Sequence, residues 1–130
     1  MIEANQRKVL IMGSSTSEIA VIRNGLVADG CQVRVSETAE TALAESIRWK
    51  PEMVIADDSF ADFIGTLRRI CTDIPVLIRS QSRTQFVALL NGGADDCVEK
   101  TCSVAELRAR IRSKLKHSRR FVGTKTGREG

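Results

Sequence analysis

Short apolar runs alternate along this chain with stretches whose apolar residues recur at helical spacing. The clearest run covers Met53 to Ala56 and leads directly into two carboxylates, Asp57 and Asp58. A short apolar run bounded by polar residues is typical of a strand that is buried on both faces. The whole pattern predicts strands over about 8–12, 31–36, 53–56, 76–78 and 97–98, and helices over about 17–28, 38–49, 60–70, 82–91 and 104–115.

Five strands and five helices in strict alternation predict an α/β fold. Because the connections are short, the strands must run parallel, with helices on both faces of a five-stranded sheet, in a three-layer sandwich. Ligands gather at the carboxyl ends of the strands in such a sheet. We therefore expect Asp57 and Asp58 to lie at the edge where a site would form.

Length and composition indicate one domain in the cytoplasm. The 130 residues are 42% hydrophobic and 28% charged, and no apolar stretch resembles a membrane span or a signal peptide. The four cysteines form no C-x-x-C pair, so we expect reduced thiols rather than a zinc site. The predicted domain covers 1–117, and 118–130 is a basic tail or the start of a linker.

Positive charge is concentrated at the C-terminal end. Residues 107–130 contain nine Lys or Arg against one acid, Glu129, so they carry +8 of a chain whose net charge is +4, and residues 1–106 carry −4. Such asymmetry is typical of nucleic-acid or acidic-protein contact, but also of one solvated helix face with a tail. No aromatic interleaving or DNA-binding motif accompanies it, so a DNA-associated module is an alternative that we do not favour.

Four segments together resemble the receiver domain of bacterial two-component response regulators, the CheY-like domains. They are Lys8–Met12, 51–57, 75–80 and 93–100, in the order and with the gaps of that family. The resemblance implies a flavodoxin-like sheet of order 2-1-3-4-5 and a phosphorelay signalling module rather than a conventional enzyme. The lone histidine, His117, also leaves no nucleophile–base–orienter set.

The resemblance assigns roles to three residues. Asp57 falls on the phosphoacceptor, Ser80 on the hydroxyl residue that follows the phosphoryl group as a switch, and Lys100 on the lysine that pairs with it. Phosphoryl transfer to an aspartate needs such cations and hydroxyls around the developing charge. If no metal binds, we expect Lys100 to form a salt bridge with Asp57 or Asp58 instead.

The metal site departs from the family pattern. Two acids that hold Mg²⁺ at the end of the first strand are replaced by Gly13 and Ser14, which leaves Asp57 with Asp58 as poor ligands. Three further departures are Gln81 where a small residue is usual, Cys97 at the aromatic switch position and Thr101 for a proline. We therefore predict an atypical, degenerate receiver in which Mg²⁺ binding is doubtful, and we favour regulation without phosphate over phosphorylation of Asp57.

Partners follow from the same resemblance. The last helix is similar to that of receivers that dimerise through the fourth helix, fifth strand and fifth helix, so a homodimer is predicted, alongside a histidine kinase or other signalling protein and an output domain beyond residue 130. Acids and arginines of that region would pair across a two-fold axis. The residues concerned are Asp95, Asp96, Arg108, Arg110 and Arg112.

One further alternative is a flavodoxin-like domain that binds an anion or FMN. The hydroxyl-rich loop 13–16 lies between a strand and a helix N-terminus, where phosphate can bind. The chain has no tyrosine, and its one tryptophan, Trp49, is predicted in a helix away from that loop, so no residue is placed to stack on a flavin.

Overall fold

The computed structural model describes residues 6–14, 16–71 and 73–116. The predicted tail 118–130, and His117 with it, lie outside the described residues. The strands are β1 Lys8–Met12, β2 Gln32–Ser36, β3 Met53–Asp57, β4 Val76–Ser80 and β5 Asp96–Glu99. The helices are α1 Ser17–Ala28, α2 Ala39–Arg48, α3 Ala61–Ile70, α4 Phe86–Asn91 and α5 Val104–Lys116, and short 3₁₀ turns at Asp58–Phe60 and Arg83–Gln85 precede α3 and α4.

All five strands pair in parallel, in the order β2-β1-β3-β4-β5, which confirms the predicted fold. Successive residues of each strand point to opposite faces of the sheet, and both faces are buried. Leu10, Val54 and Ile78 face the side covered by α2, α3 and α4. Ile11 and Ile55 face the side covered by α1 and α5. The domain is thus the three-layer sandwich expected from the alternation of elements.

Local signals explain where the helices next to the site begin. Thr16 precedes α1, and its hydroxyl accepts a hydrogen bond from the Ile19 N–H at 3.2 Å. Ser103 precedes α5 and accepts from the Glu106 N–H at 3.0 Å. The fourth helix is shorter than predicted, because Ser82 caps a 3₁₀ turn and the α-helix begins only at Phe86.

The strand register places the predicted site. Asp57 of β3 is the register partner of Arg79 of β4, and the next residue of β4, Ser80, is the partner of Glu99. Register partners in a parallel pair point to the same face, so Asp57 and Arg79 share the side that α1 covers. The carboxyl edge of the sheet therefore brings together charges from β3, β4 and the start of α1.

Candidate functional site

Arg79 is the cation beside Asp57. Its Nη1 donates a hydrogen bond to Asp57 Oδ1 at 2.8 Å, and its Nη2 donates to the carboxylate of Glu18 in the first turn of α1. The Arg79 side chain is only 3% exposed, whereas that of Glu18 is 55% exposed. A buried guanidinium requires such partners, because an unpaired charge in this position would be very costly.

This arrangement corrects the prediction on one point, the end of the fourth strand. The fourth strand does not end before Arg79 but continues through Arg79 and Ser80, both of which are buried. Lys100, which the resemblance places with the phosphoryl group on Asp57, makes no hydrogen bond or ion pair with Asp57 in the part of the chain described here. A charged residue directly after the apolar run 76–78 was the available signal, since charges rarely enter a buried strand without a partner.

Gly13 is packed against Asp57. A Cβ atom at position 13 would lie 3.0 Å from Asp57 Oδ2, closer than side chains normally approach. The Asp57 carboxylate thus lies directly against the position where the resemblance expects an acidic side chain. A side chain at position 13 would require the Asp57 carboxylate to shift by a few tenths of an ångström.

Asp58, one residue later, pairs with Lys100, which the resemblance places near a phosphoryl group on Asp57. The Gln81 N–H donates to Asp58 Oδ2 at 2.8 Å, and Lys100 Nζ lies 3.5 Å from Asp58 Oδ1. The Asp58 side chain is 16% exposed. Of the two salt bridges that we considered for Lys100, the structure therefore contains the one to Asp58.

The surroundings of Asp58 favour its ionised form. Burial by itself would raise the pKa of this carboxyl. The hydrogen bond from the Gln81 N–H and the positive charge of Lys100 more than offset this, and the pKa lies below the ordinary value of 3.8. Asp58 is therefore a fixed negative charge at neutral pH.

Ser80 connects the end of β4 to the following loop. Its hydroxyl is fully buried, and its Oγ lies 2.9 Å from both the Ser82 carbonyl oxygen and Gln85 Oε1. It also accepts a hydrogen bond from the Ser82 N–H at 3.2 Å. The hydroxyl thus ties the end of β4 to the 3₁₀ turn that leads into α4.

The donors present do not fit a Mg²⁺ ion. The described residues contain no group of three His, Cys, Asp or Glu side chains that could hold a metal. Asp57 Oδ1 already accepts from Arg79, and Asp58 accepts from the Gln81 N–H beside Lys100. Two cationic side chains next to the two carboxylates would repel a divalent cation, which usually needs carboxylates and waters free to coordinate it.

Cys97 lies at the position of the aromatic switch residue. It is buried in β5, on the face that α2, α3 and α4 cover. Burial, and to a smaller extent the neighbouring Asp96 carboxylate, raise the pKa of its thiol, so Cys97 stays a protonated, apolar core residue. Its role as a switch remains a prediction.

The five residues predicted for a dimer contact all have partners within the chain. Arg108 donates to both oxygens of Asp29 at the end of α1, at 2.9 and 2.6 Å, and Arg112 lies 3.7 Å from the same carboxylate. These pairs hold α5 against α1. They also lower the pKa of Asp29, chiefly through the hydrogen bond from Arg108.

The two acids at the start of β5, Asp95 just before it and Asp96 as its first residue, differ in their partners. Asp95 pairs with Arg68 of α3 and accepts from the Val76 N–H at 2.7 Å, so it closes the loop before β5. Asp96 pairs with Arg110 of α5 at 3.2 Å, at the surface. Asp96 and Arg110 therefore form the ion pair that joins β5 to α5.

The anion loop of the flavodoxin alternative is only partly described, because Ser15 lies outside the described residues. The Thr16 hydroxyl is used as the cap of α1. Trp49 lies at the end of α2, where the guanidinium of Arg34 is 4.6 Å from its ring centre. No helix among the described residues is long and apolar enough to cross a lipid bilayer.

Curated relatives are response regulators. The chain is 32% identical over 115 residues to the KDP operon transcriptional regulatory protein KdpE of Escherichia coli (strain K12), a match over 83% of this chain and 51% of KdpE. It is 28% identical over 116 residues to the transcriptional regulatory protein PrrA of Mycobacterium tuberculosis, over 84% of this chain and 50% of PrrA. The chain spans about half the length of these relatives, and no protein-family model matches it.

Solved structures show the same fold. A CheY-like receiver domain from Methanospirillum hungatei JF-1 superimposes with a TM-score of 0.81 and 18% identity, over 91% of this chain and all of that one. The orphan response regulator HP1043 of H. pylori superimposes with a TM-score of 0.75 and 26% identity, over 84% of this chain and 96% of that one. The strand order, the acid at the end of β3 and these relatives agree: the chain is a response-regulator receiver domain of the two-component type.

Proposed function

We propose that this receiver domain passes on its state through protein–protein contacts, without taking up Mg²⁺ or a phosphoryl group at Asp57. The observation that supports this most strongly is the buried Arg79 guanidinium, which already neutralises Asp57 and Glu18. A nucleophilic carboxylate must be free to attack, and a metal must be free to screen its charge. In this chain the Arg79 guanidinium is a permanent cation beside Asp57, in the place of an exchangeable Mg²⁺ ion.

The test is phosphoryl uptake by the whole chain. Incubated with acetyl phosphate and Mg²⁺, the protein should keep its mass, whereas a conventional receiver treated in parallel should gain one phosphoryl group. Intact-protein mass spectrometry measures this directly. Uptake in this chain that disappears in Asp57→Asn would contradict the proposal and restore Asp57 as a working phosphoacceptor.

Signalling partners form the second part of the proposal. Response regulators as a class work with histidine kinases and output domains, and KdpE and PrrA are named as transcriptional regulatory proteins about twice as long as the match. We propose that the receiver acts on an output domain joined through the segment 118–130, in the cytoplasm. A kinase or another signalling protein would then act by docking rather than by phosphoryl transfer. We propose no enzymatic activity for the domain.

We also propose self-association through α4, β5 and α5. Val87 and Leu90 of α4 are 70% and 44% exposed and lie about one helical turn apart, and the pair Asp96–Arg110 lies on the adjoining β5 and α5. A two-fold contact would bring two copies of each feature together. The arginines that pair with Asp29 would stabilise α5 within each copy rather than contact the other copy.

Self-association gives a sharp prediction. Val87→Asp should weaken the dimer by more than about tenfold in dissociation constant, because a buried carboxylate would face an apolar contact. Sedimentation equilibrium measures the dissociation constant of the dimer. The matched control is Ile47→Asp on α2, a side chain that is 48% exposed on another face and should leave the dimer unchanged. A wild-type protein that stays monomeric at all concentrations would contradict the proposed contact.

A further inference from the structure

The carboxylate of Asp58 lies where two donors from separate loops converge. The Gln81 N–H comes from the loop after β4, and the Lys100 ammonium group comes from the loop after β5. Donors fixed in this way on separate elements favour an anion over a neutral group. The anion present is part of the chain itself, since Asp58 begins the 3₁₀ turn after β3.

Asp57 cannot take this place in the present arrangement. Its Oδ1 is bound by Arg79, and its Oδ2 lies over Gly13. Lys100 consequently pairs with Asp58 and Ser80 bonds to the loop that follows β4, although the resemblance assigns both to a phosphoryl group on Asp57. The lysine assigned to the phosphoryl group thus pairs with the carboxylate of Asp58, the residue after the expected phosphoacceptor.

We propose that the Asp58 carboxylate is a built-in substitute for a phosphoryl group, which holds the loop 81–85 and Lys100 in one permanent arrangement. The hydrogen bond to the Gln81 N–H is the direct connection to the loop. The hydrogen bonds between Ser80, Ser82 and Gln85 continue it to the start of α4, which carries the exposed Val87 and Leu90. The conformation of the α4 face would then be fixed by the Asp58 carboxylate and would not depend on a phosphodonor.

This inference deepens the proposed function and rests on it for one consequence, the permanence of the signalling state. The geometry around Asp58 is independent of that proposal. The two therefore need different experiments: phosphoryl uptake by the wild-type protein tests the function, and removal of the Asp58 carboxylate tests the substitute.

Removing the carboxylate should open an anion site. In Asp58→Ala, the Gln81 N–H and Lys100 lose their acceptor, so amide hydrogen exchange over 81–86 should become about tenfold faster. Inorganic phosphate should then raise the melting temperature of Asp58→Ala and slow this exchange again, whereas it should leave the wild-type protein unchanged. Asp62→Ala is the matched control, because it removes an exposed acid of α3 that has no hydrogen bond or ion pair among the described residues.

Two further variants separate the site from general effects of charge. Asp58→Ala combined with Lys100→Met should lose the response to phosphate, since the cation of the site is gone. Asp58→Asn keeps an acceptor for the Gln81 N–H and should show slower exchange than Asp58→Ala. A response to phosphate that is equal in the wild-type protein, Asp62→Ala and Asp58→Ala would overturn the inference, and so would unchanged exchange over 81–86 in Asp58→Ala.

Discussion

Arg79→Met is expected to lower the free energy of unfolding by about 2–3 kcal/mol at neutral pH, since it breaks a buried ion pair from one side. The methionine fills much of the same space, but it leaves Asp57 facing Glu18 with no cation between them. Loss of one partner of a fully buried pair costs about 3–5 kcal/mol, and the half-exposed Glu18 brings the expected effect to or below the lower limit of that range. Urea denaturation followed by circular dichroism measures the change.

A double variant and a matched control make this prediction specific. Asp57→Asn added to Arg79→Met should recover part of the loss, because it removes the uncompensated carboxylate. Arg34→Met removes an arginine whose side chain is 51% exposed and which pairs with Glu45, so it should cost less than about 1 kcal/mol. If Arg79→Met were no more destabilising than Arg34→Met, the guanidinium would not be the cation on which Asp57 depends.

The fold was predictable from the chain because its signals are local. Each apolar run and each capping residue acts within a few positions, and the alternation of elements then limits the topology. The family resemblance supplied the strand order, which local patterns alone do not determine. Asp57, Ser80 and Lys100 were correctly placed at one edge of the sheet for the same reason, since each follows or ends a recognisable strand.

The pairing of charges at that edge was not predictable in the same way. Arg79 meets Glu18 across 61 positions and Asp57 across 22, and nothing local distinguishes these partners from other acids. The polar pair Arg79-Ser80 after the apolar run 76–78 predicts a strand end. Strand β4 instead continues through both residues, because Arg79 pairs with the carboxylates of Asp57 and Glu18. The contacts of Arg108 with Asp29 were missed for a related reason, because they depend on the packing of α5 beside α1.

The difference between Asp57 and Asp58 follows from these long-range contacts. From the sequence alone, Lys100 could pair with either of the two adjacent acids. Once Arg79 holds Asp57 over Gly13, the lysine and the Gln81 N–H are left to Asp58. Arg79 in β4 thus accounts for the exchange of partners between the neighbouring acids, and together with Gly13 and Ser14 it leaves no place for a metal.

Restoring the metal site should require three changes together. The variant Gly13→Asp, Ser14→Asp and Arg79→Met is expected to bind Mg²⁺ at least about tenfold more tightly than the wild-type protein, because two carboxylates are added and one guanidinium is removed. Glu18 and Asp57 would lose their shared cation, and the negative charge of the site would increase by three. Isothermal titration calorimetry at constant ionic strength measures the affinity.

The double variant Gly13→Asp and Ser14→Asp is the decisive control. With Arg79 retained, its guanidinium occupies Asp57 Oδ1, and a new Cβ atom at position 13 would lie 3.0 Å from Oδ2, so a positive charge and a tight contact both oppose a shared ion. We expect this variant to bind Mg²⁺ no better than the wild-type protein and to be less stable. Adding Asp57→Asn to the triple variant should remove the gained affinity, because Asp57 is the central ligand. Tight Mg²⁺ binding by the wild-type protein or by the double variant would show that Arg79 leaves room for the ion, and the assignment of Arg79 as its permanent replacement would then be wrong.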